Sequence, residues 1–432
     1  MKKFWIIMLS LGLIAAFSMP AAAADMKMGG SYIVGGYYAD NYAIREDSAS
    51  AAFYAQRIRF EPVFKVAEGL TFNARIDAME RVWGQNAVAA EAANPASTRN
   101  PAAEQNIQFR RGWVSFLTGI GQFNIGYMAD GTWGTDFGDI TSEGPAIVFL
   151  TKVGPVALGL VAEKISEGRL TTGAVDSDLD KYCVTPLYFW DQGQAGYIYC
   201  YVRSAAARPV ALALGGQNTL YYHLQNVYFK GTFGPVYAEA EYSYQFGKVA
   251  EWDDHIVGLA DIDYKSMEWY LMAKVNLGPA YIGAQYGHAD GNDPLTADME
   301  AILAPGNAWQ PTLILFNDWA NRFAGNMGTY ATTGAYFTNA DLYQIFAGYN
   351  PIPKLGIKAS YTYANADEKP AGYVDDVYGS EFDLTVSYKI YDNLEYMIGV
   401  GYLWAGDYYK GVGATNKIDD NYLIMHQLTL TF

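Results

Sequence analysis

The stretch QRIRFEPVFK, residues 56–65, sets Arg57, Arg59, Glu61 and Lys65 in alternation with Ile58, Phe60, Pro62 and Phe64. A strand of period two would carry the guanidinium groups on one face and the apolar groups on the other. Such a row breaks no bonds by itself, but it lays a fixed positive field along one wall. The next segment repeats the design: Leu70, Phe72, Ala74 and Ile76 alternate with Asn73, Arg75, Asp77 and, further on, Arg81. In FRRGW the period fails, and the pattern leaves open whether Arg110 or Arg111 joins the same wall. Like charges held side by side in a narrow aqueous space reinforce one another's field.

Acidic candidates fall in two places. The stretch DGTWGTDFGDITSEG carries Asp130, Asp136, Asp139 and Glu143, with glycines between them. In VYAEAEYSYQF, Glu239 and Glu241 alternate with Ala238, Ala240 and Tyr242, so they share the polar face with Ser243 and Gln245. EFDLTVSYKI alternates in the same way. Signals for catalysis are poor: His223, His255, His288 and His426 are far apart in sequence, and no nucleophile elbow, zinc-protease motif or phosphate-binding glycine loop occurs. No catalytic residue, cofactor or specific metal site is expected. The net charge of -16 argues against a nucleic-acid partner, which would ask for a basic stripe.

The elements that must position these residues are strands. Residues 1–24, with Lys2 and Lys3 ahead of an apolar run and Ala22 and Ala24 at its end, read as a signal peptide. Residues 25–432 then form one domain. No second apolar run reaches the roughly 18 residues a spanning helix needs. The 36 tyrosines, 21 phenylalanines, 10 tryptophans and 44 glycines suit strands, and membrane barrels place aromatics in belts at both interfaces.

Seven short turns recur, near residues 67, 120, 154, 234, 278, 352 and 392, with alternating segments on both sides. Fourteen strands follow from them. A first strand near 28–38 and a last at 422–432 make sixteen. The expected fold is all-β, a transmembrane antiparallel β-barrel with short periplasmic turns and long extracellular loops, because an open sheet edge does not survive in hydrocarbon. The long loops include 130–143, 167–217 and 289–338. Cys183 and Cys200 are expected to form a disulfide in an oxidising compartment. Pro186 speaks against a membrane strand between them, so the pair reads as pinning an extracellular flap, with eighteen strands as the alternative. PLTADMEAILAP, 294–305, reads as a short helix acting as a plug or lid.

The final segment, YLIMHQLTLTF, resembles the C-terminal strand recognised by the barrel assembly machinery, with Phe432 as the assembly signal. Taken together, the chain resembles the general diffusion porins, sixteen-stranded homotrimers of Gram-negative outer membranes, although their usual loop-three PEFGG is absent. The resemblance implies that the third loop folds into the barrel. It also implies a constriction whose basic side is Arg57, Arg59, Arg75 and Arg81 with Arg110 or Arg111, and whose acidic side is Asp130, Asp136, Asp139 and Glu143. Outer-membrane lipid, lipopolysaccharide and small hydrophilic solutes are the implied partners, with passive diffusion the function and weak cation preference expected. The competing reading is an occupied barrel: a substrate-specific channel, a sleeve around a partner, or an adhesin.

Overall fold

The computed structural model describes residues 25–432 apart from 42–43, 47, 85–106, 140, 168–177, 206–217, 253–259, 304–305, 307 and 318–336. The expected signal segment, 1–24, lies outside the described residues, as do parts of the loops 167–217 and 289–338. In chain order the strands are β1 (Asp25–Asp40), β2 (Ala51–Ala67), β3 (Leu70–Val82), β4 (Ile107–Thr118), β5 (Gly121–Ala129) and β6 (Glu143–Val153). There follow β7 (Val156–Ser166), β8 (Leu179–Trp190), β9 (Gly193–Ser204), β10 (Asn218–Phe233), β11 (Val236–Trp252) and β12 (Ile262–Leu277). The last six are β13 (Ala280–Ala289), β14 (Ala340–Ile352), β15 (Leu355–Asn365), β16 (Val377–Tyr391), β17 (Leu394–Ala405) and β18 (Asn421–Thr431).

Each strand pairs antiparallel with its sequence neighbours, and β1 closes the sheet on β18 from Ser31↔Thr431 to Asp40↔Tyr422. The barrel therefore has eighteen strands, not sixteen. The two additional strands are β8 and β9, the segment read as a flap; their disulfide joins facing residues, Cys183↔Cys200. Pro186 is accommodated because the β8–β9 pairing skips it, running from Val184↔Tyr199 to Leu187↔Gly196, while its other side faces Leu158 of β7. A proline lacks the donor that an unbroken ladder would use, and here that ladder is interrupted.

All seven sequence-expected turns are present as two-residue connections, and Asp191–Gln192 makes an eighth. Three are Gly-Pro pairs in which Gly154, Gly234 and Gly278 take φ of 60°, 58° and 67°. A tight hairpin of this kind needs positive φ at its first position, which glycine adopts at little cost. The long connections gather on the opposite rim. Residues 294–303 form no helix. Met299 instead bridges back to β12, its N–H donating to the Asp263 carbonyl at 2.9 Å and its carbonyl accepting from Lys265 N–H.

The two faces of the sheet differ in chemistry. Outward residues such as Ile125, Ile147, Leu271, Ile282, Ile345 and Ile398 are exposed apolar groups. Tyr188, Phe233, Tyr349, Tyr391 and Phe432 project near the short-turn rim, and Tyr54, Trp83, Tyr343, Tyr363 and Trp404 near the long-loop rim. Inward residues include buried Asn73, Asp77, Glu163, Asn226, Gln344, Thr362 and Asp383.

Candidate functional site in the barrel lumen

The inner faces of β2, β3 and β4 form one ionic wall. Arg59 forks onto Asp77, Nε to Oδ1 at 2.7 Å and Nη2 to Oδ2 at 3.0 Å. Arg75 reaches Asp77 at 3.3 Å and Glu143 at 2.8 Å. Both members of the doublet point inward: Arg111 lies 2.6 Å and Arg110 3.3 Å from the Glu143 carboxylate. A β-bulge resolves the broken period, since Arg75 faces Arg111 and the next residue, Ile76, faces Phe109, leaving Arg110 as the extra residue. Arg57 faces Ile33 of β1, and Ile33 packs against the luminal core.

Arg81 departs from the inward reading. It pairs with Gln56, while the adjacent pair, Ala55 and Val82, is buried in the luminal core. Alternation therefore puts Arg81 and Gln56 on the outer face, where Gln56 accepts a hydrogen bond from the indole of Trp83 at 2.7 Å. The reversal comes from an irregularity between Gln56 and Ile58, beside Met79 with φ 53°. One inserted residue flips every side chain beyond it.

The acidic candidates do not gather into a row opposite the arginines. Glu143 sits among three of them. Asp130 pairs with Lys181 of β8 at 2.6 Å, and Lys181 also pairs with Glu163 of β7 at 2.6 Å. Asp139 braces its own loop, accepting from Thr141 N–H at 3.0 Å and Trp133 N–H at 3.4 Å. Asp136 is the exposed member. On β11, Glu239 accepts from the Tyr237 hydroxyl. Glu241, 4 % exposed, accepts from Thr135 N–H at 2.9 Å and Asn226 Nδ2 at 2.9 Å. Gly134 and Gly138 are needed there because a Cβ on either would lie within 2.3 Å of a Glu241 oxygen. The carboxylate thus fastens the third loop to the wall.

That loop is folded inside the barrel. Trp133 packs edge-on against Tyr228, donates to Asn226 Oδ1 at 2.8 Å and joins the cluster around Cys183 and Cys200. Phe137 stacks on Tyr270 at 5.1 Å and meets Trp309 and Phe337 of the sixth loop. The sixth loop in turn runs across the lumen to β16. The amides of Leu313, Ile314 and Leu315 converge on the fully buried Glu381 at 2.9, 2.7 and 2.8 Å. This luminal strap was missed in the sequence, although PTLILF, 311–316, is an apolar run inside a polar loop and offered a signal. On its short-turn side lies a cavity of about 320 Å³ whose lining includes Lys358, Asp383, Ser387, Glu395, Gln427 and Thr429.

No protein-family model and no curated protein sequence matches the chain. Solved structures do resemble it in fold. Pseudomonas aeruginosa OccK9 (OpdG) superposes with a TM-score of 0.55 at 13% identity, covering 94% of this chain and 99% of that one. A BenF-like porin from Pseudomonas fluorescens Pf-5 gives 0.54 at 12% identity, with 94% and 99% covered. P. aeruginosa OpdQ gives 0.53 at 13% identity, with 94% and 98% covered. At such identities the likeness is one of fold: the chain is similar to these structures along nearly its whole length as a closed antiparallel barrel.

Proposed function

We propose that this barrel is a channel in the outer membrane of a Gram-negative bacterium, passing small hydrophilic solutes through a lumen narrowed by its third and sixth loops. The observation that carries the reading is the opposition of faces: exposed apolar side chains outside, ion-paired polar ones inside. Lipid accepts the first and water the second. The ionic wall sets four guanidinium groups, on Arg59, Arg75, Arg110 and Arg111, against the carboxylates of Asp77 and Glu143. Rings of charge of this kind bias which ions and dipolar solutes pass.

The buried contact between the third and sixth loops favours a selective channel over an open sieve, because it fills part of the cross-section with aromatic rings. Eighteen strands enclose more space than sixteen, and the loops take back some of it. Planar-bilayer recording tests the reading: small, discrete ohmic steps are expected, together with solute-dependent swelling of proteoliposomes. A silent protein in both assays would refute it, leaving a partner-binding or loop-presenting barrel.

A further inference from the structure

We propose that His288, Asp341 and Asp367 form a binding site for a divalent first-row transition cation at the long-loop rim, outside the lumen. His288 is the penultimate residue of β13, Asp341 the second of β14, and Asp367 lies in the connection after β15. Alternation turns His288 and Asp341 outward, since their neighbours Gly287, Leu342 and Ala289 face the barrel interior.

The ligand atoms are already close. His288 Nδ1 lies 3.0 Å from Asp341 Oδ1 and 4.0 Å from Asp367 Oδ1, and one donor atom from each residue falls within 4.8 Å of the others. A cation held about 2.0 to 2.2 Å from nitrogen and oxygen donors separates them by roughly 3 to 4 Å. Each donor is steadied from behind. Asp290 lies 3.0 Å from His288 Nε2, so a proton there leaves the Nδ1 lone pair facing the two carboxylates. The Tyr286 hydroxyl donates to Asp341 Oδ1, the oxygen that faces His288, and Gly291 N–H donates to Asp367 Oδ2 at 2.9 Å, leaving the Oδ1 of Asp367 for coordination. A carboxylate behind a ligating imidazole is a recurrent support for metal sites.

Charge points the same way. Asp290, Asp341 and Asp367 surround one imidazole, and among the described residues no lysine or arginine is ion-paired to them. Protonating the imidazole leaves two negative charges uncompensated; a dication beside a neutral imidazole leaves one. One nitrogen and two oxygen donors suit a borderline ion such as Zn²⁺ better than Ca²⁺, which prefers six or more oxygens. The site would tie together the two roots of the sixth loop, which leaves β13 at Ala289 and re-enters at Ala340.

The test is calorimetric titration of the full-length refolded barrel, stripped with chelator, with zinc chloride. One equivalent per chain is expected, resistant to an equimolar amount of Ca²⁺. Affinity should fall at least tenfold in His288→Gln and in Asp367→Asn, and stay unchanged in Asp293→Asn, an acidic neighbour with its carboxylate bonded within its own turn. Asp367 lies outside the strands, so its variant keeps the barrel; heat-modifiable gel mobility verifies folding of each. With Co²⁺ as probe, a visible absorption band should vanish in His288→Gln. The proposal is overturned by no stoichiometric uptake, by uptake that survives both ligand substitutions, or by displacement by equimolar Ca²⁺.

Discussion

Glu381 joins burial to a single structural task. Leaving a buried amide donor without its partner costs about 1 to 3 kcal/mol, and three amides of the sixth loop converge on this one carboxyl group. Glu381→Ala leaves those three donors without an acceptor, so the strap should leave β16 and single-channel conductance should rise. Glu381→Gln retains one acceptor oxygen and should fall between. An unchanged conductance in the alanine variant would mean that the strap does not narrow the conducting path. Glu143 offers a second test at this scale, because it touches Arg75, Arg110 and Arg111 together. Glu143→Gln removes the negative partner of three cations, and the zero-current potential under a salt gradient should move toward anions. Arg111→Gln should move it the other way.

At the level of elements, the β8–β9 hairpin is held three times over: by the disulfide, by β7 and by β10. Closing a loop of about 15 residues stabilises by around 3 kcal/mol in the chain-entropy model. Reduction should lower the urea midpoint by less than that figure implies, and the heat-modifiable mobility of the folded barrel should persist. Collapse of the folded band on reduction would contradict this. The hairpin also marks where sequence reading stops. β11 and β16 were legible because every other residue is apolar over ten positions, whereas β8 offers Pro186 and a short alternation that looks like loop. The doublet Arg110–Arg111 and the flip at Arg81 both depend on bulges. Alternation can show that a period breaks, but the register of the neighbouring strand decides which side chain moves. The inward course of the loops was harder still, since Phe137 and Trp309 meet only after long stretches of chain have crossed the lumen.

For the molecule as a whole, everything rests on which solvent each face meets, and one substitution on each face separates lipid from water. Ile345 is 62% exposed on the outer face of β14, far from either end of the strand. An arginine there should cost about 2 to 4 kcal/mol in a bilayer if this position lies at mid-depth, and less nearer an interface. Thr385, on the inner face of β16, lines the luminal cavity beside Lys358 and Glu395. An arginine at Thr385 would meet water and a nearby carboxylate, so its cost should be small, although it should reduce conductance by occupying the path. Urea titration of both variants in phospholipid vesicles provides the comparison. If the two substitutions destabilised equally, or if Ile345→Arg were harmless, the outer face would not be lipid-facing, and the cylinder would have to be explained as a soluble or partner-sheathed barrel.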